Sequence, residues 1–137
     1  MSAESPVLVD TSIWIEVLRQ ADPPLRNLLD QLIAEDRVRI CAAILAELLQ
    51  GATTAKDLEA AENLASALPI LPATDKTWLE AGKLNQKLRS KGISVGLLDC
   101  YLAVLAQSHE CILFSLDKHF PLIARHSSLQ LMNILRQ

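Results

Sequence analysis

The first apolar run, Val7-Leu8-Val9, stops abruptly at Asp10. A run this short, with no polar interruption, predicts a strand buried on both faces. Thr11 or Ser12 is placed to cap a helix over residues 13–19, since a hydroxyl can accept from the first free amides of a helix. Pro23-Pro24 opens a second helix with Leu25, Leu28, Leu29, Leu32 and Ile33 at helical spacing. Those five read mainly as core, with part of the stripe available for dimerisation. Residues 38–41 predict a second strand that feeds a helix over 43–50, with Gly51 as its stop. Residues 54–67 put Leu58, Ala61, Leu64 and Ala65 on one helical face, and Pro69-Ile70-Leu71-Pro72 leaves room only for a brief strand. Asp75 is placed to cap a long helix through Lys91, ended by Gly92. A helix over 97–107, a strand over 111–115, a short helix over 118–124 and a last strand over 129–132 complete the pattern. Short apolar strands alternating with longer helices predict an α/β fold with a parallel sheet. With no linker or repeat, residues 1–137 read as one domain.

Composition narrows the picture. Hydrophobic residues are 50% of the chain and aromatics 4%, so the core is aliphatic, which suits helices on a sheet better than a β-sandwich. The net charge of -3 argues against a protein that coats nucleic acid, though not against an enzyme that grips a few phosphates. Cys41, Cys100 and Cys111 lie in apolar stretches without a C-x-x-C spacing and read as buried reduced thiols. The expected compartment is the cytoplasm: the N-terminal MSAESP is unlike a signal peptide, and no apolar run approaches the roughly 20 residues of a membrane span.

The chemistry is carried by four isolated acids. Asp10 closes the first strand, and Asp117 follows the apolar Cys111-Ile112-Leu113-Phe114-Ser115-Leu116. Glu47 is the only charged residue from Ile40 to Gln50, and Asp99 the only one from Ile93 to Gln107. A carboxylate in an apolar helix is costly unless paired, protonated or bound to a cation. Of the basic residues, only Lys118 adjoins one of them. Each acid alone has a plainer role: Asp10 or Asp99 as a helix cap, Glu47 as a rim residue, Asp117 as a turn residue. Together they sit at strand ends or early in helices that would start at the carboxyl edge of a parallel sheet, where ligands collect. Hard oxygen donors suit Mg²⁺ or Mn²⁺, and no His or Cys cluster accompanies them to suggest zinc.

The blocks D-T-S-I-W-I (residues 10–15), A-E-L-L-Q-G (46–51), L-L-D-C-Y-L-A (97–103) and F-S-L-D-K-H-F (114–120) resemble the four acidic blocks of PIN domains. In order and spacing they are similar to those of the VapC-type toxins of toxin–antitoxin pairs. The resemblance implies a parallel five-stranded sheet flanked by helices and an Mg²⁺-dependent endoribonuclease. It also implies a homodimer and a small antitoxin that inserts a peptide near the acidic pocket. Carried over, the acids are Asp10, Glu47, Asp99 and Asp117, with Ser12 as the hydroxyl beside the metal. The second block departs at Gln50, where a basic residue is frequent.

The expected mechanism is metal-assisted hydrolysis, with Asp10 and Asp99 holding the principal ion and Glu47 and Asp117 orienting water or completing a second one. Ser12 has no His nearby in sequence and Cys100 no activating base, so covalent catalysis is disfavoured. Lys83, Lys87, Arg89 and Lys91 form an acid-free stretch that reads either as an RNA contact or as a solvated helix face. Of the histidines, His109 and His126 read as surface residues, and His119 stands out by its nearness to Asp117. A phospho-acceptor receiver domain would need an adjacent acidic pair after the first strand, which is missing. A non-catalytic PIN scaffold would be expected to lose an acid, and a structure-specific DNA nuclease to carry longer additions.

Overall fold

The computed structural model describes residues 5–133; the MSAE start, part of the segment read above as unlike a signal peptide, lies outside them. At its centre is a parallel sheet of three strands in the order β2-β1-β3, with β1 at Val7–Val9, β2 at Val38–Arg39 and β3 at Ile112–Phe114. Val7 pairs with both Val38 and Ile112, and Val9 with Phe114. All three β1 residues are fully buried, which is why no polar residue interrupts the run.

Five strands were expected and three form. At each flank only a single residue reaches the ladder: Ile70 bridges to Ile40 beyond β2, and Leu131 to Leu113 beyond β3. Ile70 stands one residue after Pro69 and two before Pro72, which have no amide hydrogen to donate and so cannot extend the pairing. On the other side, Leu113 donates to the Gln130 carbonyl and accepts from Met132, and the pairing ends there.

The helices are α1 (Thr11–Leu18), α2 (Pro23–Ala34), α3 (Ala42–Gln50), α4 (Ala55–Ala67), α5 (Asp75–Ser90), α6 (Leu97–Ser108) and α7 (His119–Ala124). Two expected caps move by one residue. Asp10, not Thr11 or Ser12, occupies the position before α1, and its side chain makes no cap bond. Thr74 precedes α5, and its backbone N–H donates to the Thr77 hydroxyl at 3.2 Å, leaving Asp75 as the first helical residue. Gly92 adopts φ 77° just beyond α5, a left-handed turn that side chains other than glycine resist.

α6 is buried along most of its length, through Cys100, Tyr101, Leu102, Ala103, Leu105 and Ala106. It lies against α5, where the Trp78 and Tyr101 rings stack at 4.1 Å. The Asn85 side-chain amide donates to the Val95 carbonyl at 2.9 Å, pinning the turn that leads into α6 and so fixing where Asp99 emerges. In α2, Leu25, Leu29 and Leu32 are buried, but Ile33 is exposed. Leu58, assigned to the apolar face of α4, is also exposed; Ala61 is the buried residue of that helix.

Candidate active site

Asp10 is the first residue past β1 and is buried, with 6% of its surface exposed. Two devices hold it. The Trp14 indole N–H donates to the Val9 carbonyl at 3.1 Å, tying the first turn of α1 back to the strand end. The hydroxyls of Ser12 and Ser115 then both donate to Asp10 Oδ2, at 2.8 and 2.7 Å. Each hydroxyl carries one hydrogen, so with both spent on Asp10 the 3.2 Å approach of the two Oγ atoms is a packing contact. The same oxygens accept from the chain: Ser12 Oγ from the Leu116 N–H and Ser115 Oγ from the Asp117 N–H, both at 3.0 Å. Asp10 is thus locked to the loop after β3 through Oδ2, with Oδ1 outside these two bonds.

Ser115 was not singled out from the sequence as a site residue. The parallel pairing of Val9 with Phe114 makes Ser115 the neighbour of Asp10 just past the sheet edge. Asp117, expected directly after the strand, stands three residues beyond the end of β3. It also fulfils its plainer role: Oδ1 accepts the His119 N–H at 2.9 Å and so opens α7.

Glu47 lies in the second turn of α3 and accepts from the Thr11 hydroxyl at 3.0 Å, so the turn that carries Asp10 also orients Glu47. Burial pushes the Glu47 carboxyl up from its ordinary value; the Thr11 bond opposes this, and the negative charges of Asp10 and Asp99 add to it. Asp99 lies in the first turn of α6, with its side chain 21% exposed. Burial raises it as well, the His119 bond lowers it, and the charge of Asp117 raises it. Glu47 therefore feels Asp10 and Asp99, and Asp99 feels Asp117. The four acids share one electrostatic neighbourhood.

No Lys or Arg pairs with any of these acids among the described residues. Their one cationic candidate is His119, whose Nδ1 sits 3.0 Å from Asp99 Oδ2 and 3.5 Å from Asp117 Oδ1. Crowded carboxylates without a basic partner repel one another, and a divalent cation relieves that repulsion. The four carboxylates are hard oxygen donors, which suit Mg²⁺ or Mn²⁺. The three cysteines are free and buried, and burial raises each thiol, so none is activated as a nucleophile.

The basic stretch stands apart. Lys83 pairs with Glu80 at 3.5 Å, and Lys87 donates to the His126 carbonyl at 3.1 Å. Both line a groove with Val104, Gln107 and His126 that none of the four acids enters. A different groove does reach the site: Glu47 opens into a cleft with Ile15, Leu18, Arg19, Leu48 and Ala61.

Residues 7–126 match the PIN domain family. The chain is 31% identical over 128 residues to ribonuclease VapC11 of Mycobacterium tuberculosis, covering 90% of this chain and 96% of that protein, and equally to the VapC ribonuclease Mb1587 of Mycobacterium bovis. Its fold is similar to that of a chain in the crystal structure of VapBC2 from Rickettsia felis bound to a promoter DNA fragment, with a TM-score of 0.77 at 23% identity over 93% of this chain and 98% of that one. It is also similar to that of a chain in DNA-bound VapBC from Salmonella typhimurium, with a TM-score of 0.78 at 21% identity over 93% of this chain and 97% of that one. A family match spanning residues 7–126 and 31% identity to VapC ribonucleases over 90% of the chain carry the conclusion that it belongs to the PIN-domain family, among the VapC ribonucleases.

Proposed function

We propose that this chain, acting as a single PIN domain, is an Mg²⁺-dependent endoribonuclease, with Mn²⁺ able to substitute. It would serve as the cytoplasmic toxin of a type II toxin–antitoxin pair. The observation that carries this reading is the gathering of Asp10, Glu47, Asp99 and Asp117 with no Lys or Arg partner among the described residues, two of them with raised pKa. Such a cluster is poorly explained by stability and well explained by a cation.

Asp10 and Asp99 are the residues that would hold the principal ion, with Glu47 and Asp117 beside it. When bound, the ion lowers the pKa of a water and stabilises the charge that develops on the scissile phosphate. The chain's own work is positional. Ser12 and Ser115 fix the Asp10 carboxylate, Thr11 fixes Glu47, and the Asn85-pinned turn fixes the start of α6. Glu47, held by the Thr11 hydroxyl, would accept a proton from the attacking water. No side-chain nucleophile is needed.

Lys83 and Lys87, which line a groove outside the acid cluster, are assigned, with Arg89 and Lys91, a secondary grip on RNA phosphates. The small antitoxin partner would seat a peptide in the cleft that runs from Glu47 to Arg19, and the toxin itself would act as a homodimer. The deciding experiment is cleavage of RNA by the purified protein with Mg²⁺, with Mn²⁺ and with EDTA. Cleavage with either ion and none in EDTA is expected, and equal cleavage in EDTA would overturn the metal mechanism.

A further inference from the structure

His119 is unlike the rest of the site. It contributes nitrogen where the other groups contribute oxygen, and it faces two carboxylates at once. Its Nδ1 lies 3.0 Å from Asp99 Oδ2 and 3.5 Å from Asp117 Oδ1. One donor atom from each of Asp99, Asp117 and His119 falls within 4.8 Å of the others. Neighbouring donors around an octahedral ion with bonds of about 2.1 Å are separated by roughly 3 Å, so the two distances to Nδ1 are close to those between adjacent ligands of one ion. The backbone supports the placement, because the His119 N–H is bonded to Asp117 Oδ1 at 2.9 Å, which sets the ring above both acids at the first turn of α7. The imidazole is 47% exposed, so Nε2 can keep its proton toward solvent while Nδ1 offers its lone pair.

We propose that His119 is a metal ligand of this site, joining Asp99 and Asp117 through Nδ1 and biasing the site toward Mn²⁺ over Mg²⁺. The inference rests on the metal-nuclease reading and refines it. The alternative is a purely positioning role, in which His119 only hydrogen-bonds the two acids. The two roles differ in metal preference. An imidazole nitrogen is a softer donor than a carboxylate oxygen. Mg²⁺ is held almost entirely by oxygen, whereas first-row transition metals accept nitrogen readily. A ligand His therefore separates Mn²⁺ from Mg²⁺, and a hydrogen-bonding His treats them alike.

The test uses the full chain, stripped with EDTA, dialysed, and loaded with Mn²⁺ alone below one equivalent. Pulsed EPR of the bound Mn²⁺ reads directly whether a nitrogen is coupled to it, with no reference to cleavage. His119→Gln keeps a hydrogen-bonding amide near the acids but removes the ring nitrogen. The proposal expects nitrogen coupling in the wild type and its loss in His119→Gln. It also expects Mn²⁺ affinity in the variant to fall about tenfold while Mg²⁺ affinity falls less than about threefold. Mn²⁺ bound without nitrogen coupling, or coupling that survives in His119→Gln, overturns the His119 assignment and leaves the carboxylate site standing. A wild-type chain that fails to bind Mn²⁺ overturns the metal-nuclease reading as well.

Discussion

A buried carboxylate is tolerated only when its environment answers its charge, and Asp10 and Asp99 are answered in different ways. Asp10 receives two hydroxyl hydrogen bonds on one oxygen. Replacing Ser115 by Ala removes one of them and the acceptor of the Asp117 N–H. The expected cost is about 1–3 kcal/mol in denaturant unfolding, with slower cleavage because Asp10 is no longer fixed. Asp99 has only His119 and the Gly96 backbone to oppose burial and the charge of Asp117. Asp99→Asn keeps the shape and removes the charge, so cleavage should vanish while the metal-free protein stays folded, with a melting temperature in EDTA at or above that of the wild type. Unfolding of that variant in EDTA would instead make Asp99 a structural partner. The pH dependence follows from the same charges. Glu47 and Asp99 are raised from ordinary values of 4.5 and 3.8, so the folded chain holds protons that the unfolded chain has released. Their contribution is complete below the unfolded values and is lost as pH rises through the higher folded ones. Asp57 and Glu35 are lowered and act in the opposite sense. The readout is therefore the stability difference in EDTA between the wild type and a Glu47→Gln, Asp99→Asn double variant, and that difference should move against the wild type as pH increases. The acids themselves were legible in the sequence because each is the lone charge in an apolar run. Ser115 was hidden, since a serine in such a run looks like any small residue until the register of β1 on β3 sets it beside Asp10. Asn85 was hidden for a similar reason: its partner, the Val95 carbonyl, is a backbone group ten residues away.

Elements were easier to read than their ends. Apolar spacing located α2 and α6, and end signals bounded α3 at Gly51 and α5 at Gly92, while residues 7–9 were a strand because nothing polar could be accommodated there. Caps were harder. Thr11 and Ser12 are good capping residues by type, yet both hydroxyls are drawn to carboxylates inside the site, at Glu47 and Asp10. A local propensity yielded to a tertiary demand. α4 forms where its pattern puts it, with Ala61 buried and Leu64 packed against the core, but Leu58 on that face stays exposed. α6 is the opposite case, with burial nearly all round, and it offers a clean control for the site. Leu102 is 2% exposed and points into the core, so Leu102→Ala should cost about 2–5 kcal/mol by chemical denaturation while cleavage by the fraction that remains folded is preserved. Together with Asp99→Asn on the same helix, it separates a residue that holds the element from one that uses it.

At the scale of the whole molecule, eight large apolar side chains stand exposed among the described residues. Leu79 is 67% exposed, and Leu18, Ile33, Leu49, Leu58, Ile70, Trp78 and Leu97 are all at least 39% exposed. Scattered apolar residues are ordinary on a surface. Here, however, Leu18 lies in the cleft that contains Glu47, and Leu97 opens the helix that carries Asp99, so part of this surface adjoins the acids. Association would then both bury apolar area and restrict access to the site. The expected consequence is a purified chain that scatters light with twice its 15.1 kDa mass and remains so on dilution into the micromolar range. Replacing Leu18 by Glu in the cleft tests how the two kinds of association are arranged. If the cleft receives the antitoxin and the homodimer uses other surface, Leu18→Glu stays dimeric, still cuts RNA, and loses inhibition by the antitoxin. A variant that turns monomeric would instead place the self-association surface in the cleft. A wild-type chain that is monomeric at high concentration would remove the homodimer from the proposed function and leave the acid cluster untouched.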